Sequence, residues 1–145
     1  MDIIVDIDGT LADCAHRLGH IQKRPKDWDA FFAAAPQDKP IGPVVELVKA
    51  MDRAGHKIIF CSGRPGEYLE PTSQWLHKVF GWWPYLLFMR QLGDRRDDQI
   101  VKRELLANIR AAGFDPLLAI DDRSRVVKMW RDEGLICLQV AEGDF

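Results

Sequence analysis

Apolar residues fall along the chain in two alternating rhythms. Met1-Asp2-Ile3-Ile4-Val5, Lys57-Ile58-Ile59-Phe60-Cys61, Pro84 to Arg90, Pro116-Leu117-Leu118-Ala119-Ile120 and Leu135 to Val140 are short apolar runs, and most are rich in β-branched or aromatic residues. Too brief for helices, they read as five strands. Between them the spacing lengthens to the helical period. Gly42-Pro43 opens a helix with proline at its first position, Val44, Leu47, Val48 and Met51 as its inner face, and Gly55 as its end. A second opens at Pro71-Thr72 and turns Trp75, Leu76, Val79 and Phe80 inward. A third follows the charged loop Gly93 to Asp98, carries Lys102 near its start and ends about Ala112. A fourth spans Ser124 to Glu133, buries Val126, Val127 and Trp130, and is closed by Gly134. Ala141 to Phe145 is left as a short tail. Strands alternating with helices predict an α/β fold: a five-stranded parallel sheet between two helical layers, joined by right-handed crossovers.

The stretch from about Ala12 to Gly42 breaks this rhythm and reads as a small insert after the first strand. It contains His16, Arg17, His20 and the basic residues Lys23, Arg24 and Lys26, with one short helix predicted from Asp27 to Ala35. Trp28, Phe31 and Phe32 fall at i, i+3 and i+4 of that helix, a stripe expected to pack on the domain. Stacking on a nucleic-acid base is the alternative use. His16 and His20 have helical ligand spacing but no third partner nearby, so they read as surface or packing residues.

Composition narrows the class. At 145 residues, 47% of them hydrophobic, the chain fits one domain, residues 1–145, with a sizeable core. Cys14, Cys61 and Cys137 are odd in number and form no C-x-x-C pair, and two of them lie in apolar runs. That suits reduced, buried thiols and a cytoplasmic location. No apolar run approaches a membrane span, and Met1 leads directly into a strand without a signal peptide. The formal net charge is −2; setting aside four aspartates of one candidate metal site leaves the remainder mildly basic at +2.

The candidate chemistry lies at the strand ends. The first strand delivers Asp6-Ile7-Asp8-Gly9-Thr10, where period two puts Asp6 and Asp8 on one side and Gly9 permits a sharp turn. The second strand feeds into Ser62-Gly63-Arg64, and the fourth into Asp121-Asp122-Arg123. In an open parallel sheet these carboxyl ends share one crevice, where such folds bind ligands. Oxygen ligands alone suit a hard cation such as Mg²⁺, with Asp6 and Asp121 as ligands and Asp122 beside them. Lys102, Ser62 and Arg64 supply positive charge and donors, the complement of a phosphoryl group. Acids, cation and donors together point to phosphoryl transfer, with one carboxylate as nucleophile and a second as general acid and base. Arg90, Arg95 and Arg96 read equally as a charged loop or a phosphate track; Arg123, Arg125 and Arg131 are expected to pair with nearby acids.

Asp6-x-Asp8-Gly9-Thr10, Ser62, Lys102 and Asp121-Asp122 resemble, in order, the four motifs of the haloacid dehalogenase (HAD) superfamily. A closer likeness is to the 3′-phosphatase domain of T-even phage polynucleotide kinase. It rests on Arg17, Ser62-Gly63-Arg64, Met89-Arg90, Gly93-Asp94-x-Arg96-x-Asp98, Lys102, Ala119 to Arg131, and Gly143-Asp144-Phe145. The resemblance implies a HAD-like three-layer fold and a Mg²⁺-dependent phosphomonoesterase that removes 3′-phosphates from polynucleotide ends. It makes Asp6 the nucleophile and Asp8 the general acid–base. The metal would be held by Asp6, Asp121 and the backbone carbonyl of Asp8, with Asp122 in support. Ser62 and Lys102 would bind the phosphoryl group within the turn of Gly9 and Thr10. Arg17, Gly63 and Arg64 would face the substrate, and Asp98 would orient Lys102.

The phage enzyme also has a kinase domain, whereas this chain contains no G-x-x-x-x-G-K-[ST] phosphate loop. A 5′-kinase activity is therefore not expected of this polypeptide, and a separate kinase or ligase is a candidate partner. Three rivals differ in what they require. A small-molecule phosphatase, such as a 5′- or 3′-nucleotidase, would use the same acids. A silent module binding nucleic-acid ends would not need the Asp6 and Asp8 pair. A receiver domain would place its phosphoacceptor on a later strand.

Overall fold

The computed structural model describes residues 1–145. Strand β1 (Asp2–Val5) runs up the centre of the molecule, and the insert follows it. A two-residue antiparallel hairpin, β2 (Ala12–Asp13) with β3 (Lys39–Pro40), closes the neck of that insert. Within it lie α1 (Gly19–Gln22), α2 (Trp28–Ala33) and two 3₁₀ turns, Ala15–Arg17 and Ala35–Gln37. Beyond it come α3 (Gly42–Arg53), β4 (Lys57–Pro65), α4 (Leu69–Phe80), β5 (Leu87–Arg90), α5 (Asp98–Ala111), β6 (Pro116–Asp121), α6 (Ser124–Asp132) and β7 (Ile136–Gln139).

The main sheet is parallel throughout, in the order β5-β4-β1-β6-β7. Alternation along the strands divides the core in two. Ile3, Val5, Ile58 and Phe60 pack beneath Val45 and Val48 of α3 and Trp75, Leu76 and Phe80 of α4. Ile4, Ile59, Cys61 and Ala119 face the other way, onto Val101, Leu105 and Leu106 of α5 and Val126, Val127 and Trp130 of α6. Two-sided burial explains why these strands read as unbroken apolar runs. No helix is long and apolar enough to cross a membrane.

The predicted five-stranded parallel sheet with helices on both faces is present, with shifted boundaries. β4 runs on to Pro65, so Ser62, Gly63 and Arg64 lie inside the strand and not beyond it. β5 keeps pairing there, and Arg90 Nε donates to the Gly63 carbonyl at 2.8 Å. β5 itself starts only at Leu87, because Trp82 turns inward against Phe60 and Phe80 before the strand begins. α4 starts at Leu69, so Pro71 is its third residue, where a missing N–H costs no helical bond. In α3 the inner face is Val45 and Val48 with Val44 and Met51 packed beside them, while Leu47 is 42% exposed.

The insert is more ordered than one short helix. Asp27 caps α2 by accepting from the Ala30 amide at 2.9 Å. Only part of the aromatic stripe packs inward: Phe31 is buried and Phe32 meets the Tyr68 ring, whereas Trp28 is 47% exposed. His16 is tied to Asp38, as described below.

Candidate active site

β1 ends at Val5, and the chain turns at once. The Ile7 carbonyl accepts from the amides of Thr10, Leu11 and Ala12, winding Asp6 to Thr10 into a tight loop above the sheet. Gly9 has φ +83°, and a Cβ there would lie 2.2 Å from the Asp122 carboxylate. Glycine is therefore required twice over, by its backbone and by the acid pressed against it.

Asp6, Asp121 and Asp122 are buried together, each offering a carboxylate oxygen within 4.8 Å of the others. One ammonium contacts two of the three. Lys102, reaching in from α5, donates to Asp6 Oδ1 at 2.6 Å and to Asp121 Oδ2 at 2.9 Å. Thr10 Oγ1 donates to Asp6 Oδ2 at 2.9 Å, and Trp130 Nε1 to Asp121 Oδ2 at 3.1 Å. Asp98 stands 3.6 Å from the ammonium, at the start of the same helix, and also pairs with Arg90. It reaches this place because residue 63 is glycine; a Cβ there would lie 2.1 Å from Asp98 Oδ1. The Ser62 hydroxyl accepts from the Arg64 amide on the strand beside β1.

Three carboxylates around one ammonium leave an excess of negative charge. Burial first, then Asp121 and Asp122, push Asp6 well above the usual carboxylate range although Lys102 pulls the other way. Asp122 is pushed up to about 6 by burial and by Asp121. Burial opposes the charge on Lys102, but Asp121, Asp6 and Asp98 outweigh it and hold the ammonium firmly protonated. The donor set fits Mg²⁺: hard oxygens only, anionic and converging, with charge still to be neutralised.

The second acid of the motif behaves otherwise. Asp8's carboxylate lies outside this cluster and turns to two guanidiniums, so only its backbone carbonyl is left to serve a metal there. Arg17 Nη2 donates to Asp8 Oδ1 at 2.6 Å and Arg64 Nη2 to the same oxygen at 2.5 Å, with Arg64 Nε at 3.1 Å from both oxygens. Burial alone would raise Asp8, but Arg64 and then Arg17 outweigh it and bring it down to about 2. The mutual repulsion expected of neighbouring Asp6 and Asp8 is thus relieved by two separate sets of cations. Arg17 and Arg64 are themselves buried, at 0% and 2% exposure, rather than displayed as free phosphate grips.

Asp38, which sequence reasoning passed over, lies behind these arginines. It accepts from Arg17 Nε at 2.9 Å, Arg17 Nη2 at 2.7 Å, Arg64 Nη2 at 3.3 Å and His16 Nε2 at 2.7 Å. Thr10, read as part of the phosphoryl-binding turn, bonds Asp6; Trp75 and Trp130 were read as core residues, yet each spends its indole N–H at this site. Of the other basic residues, Arg90 ties its loop to Gly63 and Asp98, and Arg96 pairs with Asp94 and Glu104; instead of pairing closely with acids as expected, Arg131 bonds the Cys137 carbonyl and Arg123 the Phe145 carbonyl.

A parallel α/β sheet whose first-strand aspartate meets a lysine and a second acidic pair defines a phosphomonoesterase of the HAD type. Residues 1–145 match the family model described as the polynucleotide kinase PNKP phosphatase domain, and the chain belongs to that family. A protein of Autographa californica nuclear polyhedrosis virus, provisionally named a bifunctional polynucleotide kinase/RNA ligase, is 33% identical over 131 residues, 90% of this chain and 18% of the viral one. A chain in the structure of the Pnkp1/Rnl/Hen1 complex superposes with a TM-score of 0.81 at 36% identity, over 99% of this chain and 46% of that one. The class C acid phosphatase from Bacillus anthracis shares the fold, with a TM-score of 0.68 at 17% identity, over 99% of this chain and 67% of its own. The chain thus spans less than half the length of the viral and complex relatives.

Proposed function

We propose that this domain removes 3′-phosphates from polynucleotide ends by Mg²⁺-dependent transfer to Asp6. The observation that carries the reading is the buried trio Asp6, Asp121 and Asp122 with one lysine bonded to two of them, an anionic pocket that a divalent cation would complete. Family membership supports the polynucleotide substrate, and the small insert leaves no separate lid domain to enclose a metabolite.

In this mechanism an Asp6 oxygen attacks phosphorus in line, forming the aspartyl-phosphate as the bond to the 3′-oxygen breaks. Thr10 and Lys102 orient the attacking carboxylate, and Lys102 with the Ser62 hydroxyl receives the phosphoryl oxygens. Asp98 steadies Lys102 from the same helix. When bound, Mg²⁺ would be held by Asp6, Asp121 and the Asp8 carbonyl, with Asp122 beside them, and would neutralise charge on the phosphoryl oxygens. Asp8, after taking a proton from solvent as its arginine partners turn to the substrate, passes that proton to the leaving 3′-oxygen and later regains one from the water that cleaves the acyl phosphate. In the free protein Asp8 is held ionised by Arg17 and Arg64. An arriving phosphate dianion competes for those guanidiniums and loosens that hold, which is how both arginines come to serve the substrate. A kinase or ligase elsewhere, as in the names of the relatives, would then use the 3′-hydroxyl end.

A phosphate-release screen tests this across 3′-phosphorylated oligonucleotides, 3′- and 5′-mononucleotides and sugar phosphates. The expected order puts the oligonucleotide highest in kcat/KM, with the gap narrowing as salt is added. A clear preference for mononucleotides would assign the site to a nucleotidase instead.

A further inference from the structure

The reaction above leaves one buried carboxylate unused. Asp38 sits between the second 3₁₀ turn of the insert and β3, with its side chain wholly shielded from solvent. Such an anion needs partners, and it has three: Arg17, Arg64 and His16. Its backbone is fixed separately, because the Trp75 indole of α4 donates to its carbonyl at 2.9 Å.

The arrangement of donors is what matters. Arg17 comes from the insert and Arg64 from β4, and like charges do not lie side by side unaided. Two anions hold them, Asp8 in front and Asp38 behind. The same nitrogen of Arg17, Nη2, touches Asp8 at 2.6 Å and Asp38 at 2.7 Å, and Nη2 of Arg64 likewise touches both. Arg17 is further gripped by the Phe31 carbonyl at 3.3 Å and by the Phe31 ring, 4.2 Å from its Cζ. Any shift of Asp38 therefore moves two of the three nitrogens that hold Asp8. We infer that Asp38 is a positioning residue: it sets the Arg17 and Arg64 pair in register and through it fixes the Asp8 carboxylate, without touching substrate. The inference rests on Asp8 serving as acid and base, as proposed above, but not on which phosphate ester is preferred.

The test uses leaving groups. An aryl phosphate such as p-nitrophenyl phosphate expels its phenolate without a proton, whereas an alkyl phosphate such as a 3′-phosphorylated oligonucleotide needs one from Asp8. With Asp38→Asn, single-turnover transfer from the alkyl ester should fall about 10- to 100-fold. Transfer from the aryl ester should stay within about threefold of wild type. In an Asp8→Asn background, at saturating ester, the added Asp38→Asn should change neither single-turnover rate by more than about twofold, since its route through Asp8 is gone and any loss of ester binding at the arginines is saturated out. Equal losses on both esters, an undiminished alkyl rate, or the same loss with Asp8 already removed would each overturn the inference. If Asp38→Asn does not fold, Asp38→Glu keeps the charge but displaces it, and the same ester contrast is expected. Failure of both variants to fold would assign Asp38 to stability alone. Should oligonucleotides prove poor substrates, any alkyl ester from the screen replaces them, so the two failures are told apart.

Discussion

Two clusters of buried charge stand side by side in this molecule, and they are built on opposite principles. Around Asp6, three carboxylates converge with a single ammonium, that of Lys102, which bonds only Asp6 and Asp121. Around Asp8, two carboxylates are matched by two guanidiniums. The first is left anionic, and Asp6 and Asp122 are pushed up; the second is balanced, and Asp8 is drawn down to about 2. The choice of cation follows the task. A guanidinium fork locks a carboxylate in one plane, while an ammonium is a point charge that tolerates a change of partners. An unfinished pocket suits a metal and a phosphoryl group that come and go. The finished one suits a group that must be in the same place on every turnover.

The sharpest way to break this contrast is to exchange the two motif acids. Asp6→Asn should cost at least about 10³-fold in kcat, because nucleophile and metal ligand vanish together. Asp8→Asn should also stop efficient turnover, yet its acid cluster is intact, so beryllium fluoride should still dock on Asp6. Near-wild-type rates in either variant would undo the assignment of roles. Metal comes next. Activity should vanish with chelator and not return with Ca²⁺, whose longer, looser coordination misplaces the in-line geometry. In calorimetry, Mg²⁺ at about 100 times its Kd should add about 2.7 kcal/mol of stability to the wild type and much less to Asp121→Asn. Full turnover in excess chelator would remove the metal from the scheme.

Removing a cation from the balanced cluster should act differently. Arg17→Ala leaves Asp38 short of its main partner in a buried place, a change that costs on the order of 3–5 kcal/mol. Denaturant unfolding should report that loss along with reduced activity. A surface phosphate grip would lose activity and keep its stability, so unchanged unfolding would return Arg17 to that simpler role.

The two clusters were not equally legible in the sequence. Asp6, Asp8, Ser62, Lys102, Asp121 and Asp122 could be gathered because each sits at or near an element end, and parallel topology brings strand carboxyl ends together. Asp38 could not. It lies in a stretch without helical or strand period, 21 residues from Arg17 and 26 from Arg64, and only the folded insert brings them into contact. The burial of both arginines was hidden for the same reason, since a lone arginine is by default solvated. Trp75 and Trp130 were correctly placed in the core, but period says nothing of where an indole N–H points. His16 offers the one usable hint, a polar residue beside Arg17 in a short turn, and that hint is weak.

The smallest expected effect concerns stability against pH, and it sharpens the comparison because the clusters carry opposite signs. A carboxyl group raised in the fold binds its proton more tightly there than in the unfolded chain. The metal-free protein should therefore lose stability as pH rises from the ordinary carboxylate value near 3.8 through about 6, where Asp122 ionises. Asp8 contributes the reverse: its stabilisation is present above about 3.8 and is lost as pH falls towards 2. Urea unfolding from pH 2 to 8, without metal, should show both limbs. Asp122→Asn should flatten the upper limb alone and make the metal-free protein slightly more stable at neutral pH. Saturating Mg²⁺ should flatten that limb in the wild type as well, because it favours the ionised acids. Stability that climbs between pH 4 and 6 in the metal-free wild type would mean that the Asp6 cluster is already neutralised without a metal, and the contrast between the clusters would collapse.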